Sequence, residues 1–468
     1  MDATELCFTP ASELAGLIRS REVSPVELID AVLARIESLE PRLNAFAHLA
    51  ADGARAAARE AEAAIVRDGT LGPLHGIPVT IKDLTLTAGV PTERGSHTQV
   101  GVVPEVDAPF VTRLKRAGAI PLGKTTTSEF GWKGVSESPL TGITHNPWKH
   151  GYNAGASSAG ASVAAAAGYG PLHQGSDGAG SIRMPAHFCG NFGFMPTLGR
   201  VPNWPVANSD NIVNIGPITR TVADAALMLR VMAGPHPWDH TSLEAPPADY
   251  PARLAEGVQD LKIAFSADLG HARVDPDVAA LVADAARAFA ELGCTVEAVT
   301  PDFGPEGPEL IRYFWPVHEL NYTHLLSEWE DRMDPGLVAC IRAGQGSTAQ
   351  DYVDARARKL AYIERVHRFF EDWDLLLTPA VSVAAFPADR LQPEDWPSHA
   401  WDWVMWAEFS YPFNFSGNPA ASVPCGFTAA GLPVGLQIVG PRFAELAVLQ
   451  AAAAFENARP WCDARPPV

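Results

Sequence analysis

The sequence predicts an α/β protein, a single large domain in which a central sheet carries helices on both faces. Helix-like and strand-like segments alternate along the 468 residues, and no low-complexity tail or convincing linker interrupts them. Such alternation is typical of a sheet that helices cover on two sides. Hydrophobic residues make up 47% of the chain and charged residues 19%, which indicates a globular protein with a substantial core.

The N-terminal segment, to about residue 70, is predicted to be helical. In SPVELIDAVLARIESLEP, Ser24 is suited to cap a helix and Pro25 to occupy its first turn, and apolar residues recur at helical spacing. A second helix is predicted in DGARAAAREAEAAIVRDG. The apolar run HGIPVTIKD then indicates a buried strand that reaches Lys82. A helix in DAPFVTRLKRAG and a strand in AIPLG follow.

The alternation continues to the end of the chain. Helices are predicted in GASSAGASVAAAAG, TVADAALMLRVMAG, PDVAALVADAARAFAELG and AELAVLQAAAAFENA, and strands in LKIAFSAD, CTVEAVT, WDLLLTPA, ASVPCGF and PVGLQIVG. A helical section precedes WDLLLTPA. The Pro- and Ala-rich stretch 242–254 is either the best internal boundary or a surface loop.

Charge and composition exclude several classes of function. The net charge of −19 disfavours nucleic acid and anionic membranes as partners, because their phosphates would be repelled. No long uncharged apolar run and no signal peptide are evident. The six cysteines are scattered without metal-ligand spacing, so we expect reduced thiols in a cytoplasmic protein. Nothing in the sequence gives a reason to expect a metal or an organic cofactor.

Two short motifs match known binding patterns, but their sequence context opposes a binding site. GAIPLGKT matches a phosphate-binding loop, but an apolar strand fills the would-be loop, so a nucleotide site is disfavoured. His236 and His240 have the spacing of metal ligands on a helix, but Pro237 opposes a helix, so a surface turn is favoured. No G-x-S-x-G elbow occurs, and therefore nothing indicates a Ser-His-Asp hydrolase.

Two small-residue clusters and one lysine are the remaining candidates. GASSAGASVAAAAG contains Ser157 and Ser158, GSDGAGSIR contains Asp177 and Ser181, and Lys82 ends an apolar strand. Taken singly, they are tight turns and a lysine paired with the adjacent aspartate. Together they are suited to nucleophilic catalysis, because a desolvated lysine can be neutral and accept a proton from serine. Bare backbone amides in the glycine-rich turn could bind an oxyanion.

Several long motifs, in order, closely resemble the amidase signature family. They include LHGIPVTIKD, GKTTTSEFGW, THNPW, GSDGAGSIRMPA, CGNFGFMPTLGRVP and NPAASVPCGFTAAGLPVGLQIVGPRF, and they span nearly the whole chain. The resemblance implies a mixed sheet flanked by helices and a Ser-cisSer-Lys triad. It implies one domain over 1–468, with a helical segment to about 70, a catalytic core at about 71–235 and variable pocket segments at about 300–415.

The resemblance also implies a role for each residue of the triad. Ser181 would be the nucleophile, Lys82 the base, and Ser157, after a cis peptide bond, the proton relay. The amides of Gly178, Ala179, Gly180 and Ser181 would form the oxyanion hole. Ser158, Asp177 and Arg183 would support the glycine-rich loops.

The chain departs from the common family pattern at three alanines. The family often has G-G-S-S-G-G, whereas this chain has Ala156 and Ala159 in the corresponding segment, and Ala179 stands where glycine is usual. A methyl group at position 179 is tolerated only if φ is negative there.

The resemblance implies hydrolysis of amides, and two aromatic-rich segments are candidates for the pocket. Residues 311–329 and 396–413 contain Trp315, Trp401, Trp403, Trp406 and Phe409, which either pack in the core or line an apolar pocket. A pocket would favour aryl or medium-chain amides, with esters and carbamates as further substrates. The alternative is a glutaminase, the A subunit of a tRNA-dependent amidotransferase. A small-molecule amide is the expected partner, and a homodimer is left open.

Overall fold

The computed structural model describes residues 1–67 and 69–468. Within these ranges the chain forms sixteen α-helices and thirteen strands. The helices are α1 Ala3–Phe8, α2 Ala11–Arg19, α3 Pro25–Leu43, α4 Ala51–Val66, α5 Pro109–Arg116, α6 Ala159–Ala167, α7 Arg183–Cys189, α8 Val222–Met232, α9 Tyr250–Arg253, α10 Pro276–Glu291, α11 Gly307–Glu319, α12 Leu326–Trp329, α13 Pro335–Gly344, α14 Ala349–Asp372, α15 Tyr411–Ser416 and α16 Glu445–Ala458. The strands are β1 Phe46–Leu49, β2 Pro78–Lys82, β3 Ile120–Thr125, β4 Glu137–Ser138, β5 Gly142–Ile143, β6 Leu172–Asp177, β7 Phe192–Met195, β8 Asn214–Thr219, β9 Lys262–Phe265, β10 Thr295–Ala298, β11 Leu375–Pro379, β12 Ala420–Phe427 and β13 Pro433–Val439.

Eleven of these strands form one mixed sheet, in the order β1-β3-β2-β6-β8-β7-β12-β13-β11-β9-β10. Strands β3, β2 and β6 are parallel to one another, as are β11, β9 and β10 at the opposite end. The remaining neighbours are antiparallel. This architecture confirms the predicted fold class, and every helix and strand named from the sequence is present.

Helices cover both faces of the sheet, as strand β11 demonstrates. Leu375 and Leu377 belong to one buried apolar cluster, which includes residues of α3, α10 and α16. Leu376 belongs to a second cluster, which includes residues of α11, α13 and α14. Because successive strand residues point to opposite faces, the two clusters lie on opposite sides of the sheet.

The structure corrects the sequence-based element assignment in two places. Phe46–Leu49 lies in the segment predicted to be helical, yet it forms an edge strand because it pairs with β3, a partner remote in sequence. Gly175–Asp177, the start of the GSDGAGSIR cluster for which a turn was the alternative, instead ends the buried strand Leu172–Asp177 between β2 and β8. The stretch 242–254 is not a domain boundary, since its helix α9 packs on α8 and α16.

Candidate active site

Two parallel strands bring the predicted lysine and the glycine-rich turn to one edge of the sheet. Lys82 is the last residue of β2 and Asp177 the last of β6, and these strands pair directly. The carboxyl ends of parallel strands are where α/β proteins commonly place their sites. Gln174, also on β6, accepts a hydrogen bond at its Oε1 from the backbone N–H of Lys82, at 3.0 Å. This contact holds the end of β2 in place.

The Lys82 amine is completely buried among serine hydroxyls. Its Nζ lies 2.8 Å from Ser157 Oγ, 2.9 Å from Ser158 Oγ and 3.0 Å from Ser176 Oγ. The alternative of an ion pair with Asp83 is therefore wrong. Ser176 was not recognised from the sequence; its one signal is that it precedes Asp177 at the carboxyl end of β6.

The direction of the hydrogen bond between Lys82 and Ser158 is fixed by the second contact of the Ser158 hydroxyl. The Ser158 hydroxyl donates to the Ser176 carbonyl oxygen at 3.1 Å, so it can only accept from Lys82. Burial lowers the pKa of Lys82 to about 7, against the opposing charge of Asp177. A neutral amine has a lone pair that can accept a hydrogen bond. The Ser157 hydroxyl, 2.8 Å from Nζ, lies close enough to donate to it.

Ser157 lies at the start of the small-residue helix α6. The peptide bond between Ala156 and Ser157 is cis. All nine residues of α6 are buried, and their small side chains allow the helix to pack closely on β2 and β6. The Ser158 N–H donates to the Ser181 carbonyl oxygen at 3.2 Å, which links the two serine-containing segments directly.

Ser181 lies in the turn between β6 and α7, where it is 4% exposed. The preceding Gly180 has φ +105, and a Cβ there would lie 2.7 Å from the Ser410 side chain, so only glycine fits. Ser181 and Ser157 line one cavity of about 340 Å³. Within the described chain the Ser181 hydroxyl makes no hydrogen bond, so it is free to approach a substrate.

A buried ion pair holds this turn. Arg183 donates to both carboxylate oxygens of Asp177, at 2.9 and 3.0 Å. The guanidinium also donates to Asn414, Gln437 and the Ser410 carbonyl oxygen. Burial by itself would raise the pKa of Asp177, but the charge and hydrogen bonds of Arg183 hold it below its ordinary value. The carboxylate is therefore ionised and the turn is rigidly supported.

The backbone amides of the turn differ in availability. The Gly180 N–H already donates to Asp177 Oδ1 at 2.6 Å. The N–H groups of Gly178, Ala179 and Ser181 have no acceptor among the residues that the structure describes. Ala179 is absent from the residues with positive φ, so its methyl group is accommodated without strain.

Aromatic residues line the cavity, but from only one of the two predicted segments. Trp315 and Tyr322 belong to 311–329 and lie on the wall, together with Phe130 and Trp204. The rings of Phe130 and Tyr322 stack with centroids 4.2 Å apart. The sequence did not indicate the segment 203–213, which also lines the cavity.

The second aromatic segment, 396–413, does not contribute to the cavity lining. Trp403, Trp406 and Phe409 are at most 1% exposed and belong to the core on the α11 side of the sheet, and Trp401 packs against that core. For these residues the pocket interpretation is wrong and the packing alternative holds.

The other sequence motifs lie away from this cavity. Lys124 of GAIPLGKT is a buried residue of strand β3, as the strand assignment required. A cleft of about 960 Å³ between 331–336 and 388–400 contains none of the triad residues. In the described ranges, no cluster of three or more His, Cys, Asp or Glu residues is arranged to hold a metal ion. Among the helices described here, none is long and apolar enough to cross a membrane.

Known amidases and amidotransferase subunits are similar to this chain along nearly its whole length. The chain is 39% identical to an acylamidase of Rhodococcus erythropolis, over 100% of this chain and 98% of the relative. It is 36% identical to the A subunit of the glutamyl-tRNA(Gln) amidotransferase of Moorella thermoacetica, over 99% of each chain. A crystal structure of a bacterial aryl acylamidase matches with TM-score 0.90 and 30% identity over 97% of each chain.

A structure of 6-aminohexanoate cyclic dimer hydrolase, solved with its substrate, matches equally well, with TM-score 0.90 and 30% identity over 98% of this chain and 99% of that one. The family described as Amidase matches residues 27–449. Since the match covers most of the chain and the relatives cover its full length, the chain belongs to the amidase signature family of hydrolases.

Proposed function

We propose that this protein hydrolyses apolar or aromatic carboxylic acid amides through an acyl-enzyme on Ser181. Lys82 is the base and Ser157 carries the proton between them. The observation that carries the proposal is the 2.8 Å hydrogen bond between Lys82 Nζ and Ser157 Oγ, beside a cavity that Ser157 shares with Ser181. A desolvated amine with a pKa of about 7 is a suitable base at neutral pH.

The proton follows one route in both half-reactions. Ser181 Oγ attacks the amide carbon, its proton passes to Ser157 Oγ, and the Ser157 proton passes to Lys82. The carbonyl π electrons move to oxygen and return when the C–N bond breaks, and the nitrogen takes the proton back through Ser157. Water then attacks the acyl carbon and loses a proton to Lys82 through Ser157. The bond between that carbon and Ser181 Oγ breaks, Ser181 Oγ takes the proton back from Lys82 through Ser157, and the carboxylic acid leaves.

The amides of Gly178, Ala179 and Ser181 are the proposed donors to the oxyanion, since each lacks an acceptor in the described chain. Gly180 was also expected to donate, but its N–H is committed to Asp177, so we assign it to shaping the turn. Each oxyanion donor typically contributes about 2.7–4 kcal/mol to lowering the barrier. Ser158, Asp177 and Arg183 position the turn without touching the substrate.

The aromatic wall supports aryl or medium-chain amides as substrates, and esters or carbamates can form the same acyl-enzyme. Aromatic rings provide apolar area that a small polar amide would not use. The acylamidase and aryl acylamidase relatives agree with this substrate class. The second candidate is glutaminase activity, as in the A subunit of an amidotransferase, which the 36% identity to such a protein favours.

Labelling with a reactive fluorophosphonate tests the proposed nucleophile. We expect one adduct, located on Ser181 by peptide mass spectrometry, which is lost in Ser181→Ala and forms slowly in Lys82→Ala. Hydrolysis of anilides but not of glutamine would support the acylamidase assignment. Glutaminase activity without anilide or ester hydrolysis would reverse it in favour of the amidotransferase function. Folded wild-type protein that forms no adduct would contradict the acylamidase assignment and favour a subunit that depends on a partner or a protein without catalytic activity.

A further inference from the structure

The end of helix α11 presents an unusual face to the catalytic cavity. Trp315, His318 and Glu319 line it at positions i, i+3 and i+4, which share one side of a helix, and Tyr322 lines it from the 3-10 helix that follows. The buried face of a helix is normally apolar. Here its centre consists of a histidine and a glutamate, and the proposed mechanism uses neither.

Glu319 is a buried carboxyl group without a partner. The residue is 7% exposed, and none of the hydrogen bonds or ion pairs within residues 1–67 and 69–468 involves its carboxyl oxygens. Burying a polar group without a hydrogen bond is unfavourable, so such a group calls for an explanation. Burial raises the pKa of Glu319 to about 8, so at neutral pH the carboxyl is protonated and offers both a donor and an acceptor.

His318 has the same unsatisfied character. It is 9% exposed, and neither ring nitrogen has a hydrogen-bond partner within the described chain. Burial, assisted by the positive charge of Lys359, lowers the pKa of His318 to about 3, so the ring is neutral. A neutral imidazole offers one donor and one acceptor. Both residues line the cavity and hold unused donors and acceptors. The His318 nitrogens are themselves closed to solvent, so a ligand reaches them only when the ring turns.

The charge of the cavity decides which ligand group fits. With Glu319 protonated and His318 neutral, Arg94 is the lining side chain that keeps a formal charge at pH 7, and that charge is positive. An ammonium group would meet the like charge of Arg94 in the same cavity. A neutral group that both donates and accepts hydrogen bonds matches the carboxyl and imidazole without any change of charge.

We propose that Glu319 and His318 form a polar subsite that binds a hydroxyl or a second amide group on a part of the substrate other than the scissile bond. This inference rests on the proposed function and deepens it. The aromatic walls hold the apolar body of the substrate, and the subsite selects among apolar amides those that carry one neutral polar group. Hydroxyanilides and diamides are the matching substrate classes.

The test compares 3- and 4-hydroxyacetanilide with the similarly sized 3- and 4-methylacetanilide. In wild type we expect kcat/KM to be at least about tenfold higher for one hydroxy compound than for its methyl analogue, because the subsite groups stay unpaired with methyl. Glu319→Leu should remove that preference and retain or raise the rate on the methyl compound. Glu319→Gln, which keeps a donor and an acceptor, should retain most of the preference.

Glu328→Leu is the matched control, because Glu328 is an exposed glutamate on α12 outside the cavity. It should leave the hydroxy-to-methyl ratio at its wild-type value. His318→Phe provides a second variant of the subsite and should lower the ratio as well. A ratio that is equal in wild type, Glu319→Leu and His318→Phe would overturn the proposal.

Binding to Ser181→Ala separates this proposal from the proposed function. The dissociation constants of the hydroxy and methyl compounds are measured by calorimetry on Ser181→Ala and on Ser181→Ala/Glu319→Leu. A preference for hydroxyl that Glu319→Leu abolishes supports the subsite even if wild type does not hydrolyse these amides, which would count against the function alone. Hydrolysis of both compounds at equal kcat/KM, with equal binding, would reject the subsite and leave the function standing.

Discussion

Lys82 and Lys124 lie on neighbouring parallel strands, and both are completely buried. Burial lowers the pKa of each below the ordinary value of a lysine. Their surroundings differ, however. Lys82 contacts three serine hydroxyls, two of which line the cavity. Lys124 donates to the Thr85 carbonyl oxygen and to Thr92 Oγ1, and it interacts with the carboxylate of Asp83.

The strand register separates the two amines. Ile81 pairs with Lys124, and Lys82 pairs with Thr125. Because paired residues share a face and successive residues alternate, the two lysines point to opposite faces of the sheet. A buried lysine with a lowered pKa is therefore not by itself a catalytic base. It needs a hydroxyl that connects it to the space where the substrate binds.

Replacing each lysine by methionine should give the largest difference in activity between the Lys82 and Lys124 variants. Lys82→Met should lower kcat/KM for an anilide by about 10⁴-fold, because removal of one member of a catalytic triad has effects of this order. Lys124→Met should lower it by less than about tenfold per folded molecule, as measured with the folded fraction determined by circular dichroism. Equal losses in the two variants would mean that Lys124 also takes part in proton transfer.

A second test displaces the Ser157 hydroxyl, the proposed proton relay, and leaves Lys82 itself unchanged. A Cβ at Gly131 would lie 3.0 Å from Ser157 Oγ, and Gly131 has φ +83. Gly131→Ala should therefore lower kcat by less than about 10²-fold, because the Ser157 hydroxyl must move by less than about 1 Å, the displacement of a catalytic group that has effects of that size. Gly142→Ala is the control, because Gly142 has φ +72 with open space around it. A Gly131→Ala enzyme as active as Gly142→Ala would argue against the relay.

The pH dependence of kcat/KM also distinguishes the two lysines, and of the three comparisons it has the smallest expected effect. The base must be neutral, and Lys82 loses its proton at a pKa of about 7, so the rate should rise about tenfold per pH unit below 7 and level off above. Lys124→Met should keep this profile. Glu319, in the same cavity, has a pKa of about 8, so Glu319→Gln serves to isolate the Lys82 limb. If the rise in rate below pH 7 disappeared in Lys124→Met, the base would be Lys124 and not Lys82.

Local patterns were sufficient to predict the candidates but not all of their partners. Lys82 followed from an apolar strand that ends on a charge, and Ser157 and Ser181 from clusters of small residues. Ser176 and Gln174 were not predicted, because their contacts with Lys82 depend on the parallel pairing of strands that are about 90 residues apart. The commitment of the Gly180 amide to Asp177 is a matter of turn geometry, which the residue types do not specify.

The sequence by itself determined the fold class, many of the helices and core strands, the family, and the three residues proposed for catalysis, because periodicity and motif spacing are local properties of the chain. Only the tertiary structure decided which tryptophans line the cavity. Trp315 lines the cavity and Trp403 is buried near it, although both lie in aromatic segments of similar composition. Their difference arises from which helix face and which side of the sheet each segment packs against, and that is set by contacts with distant residues.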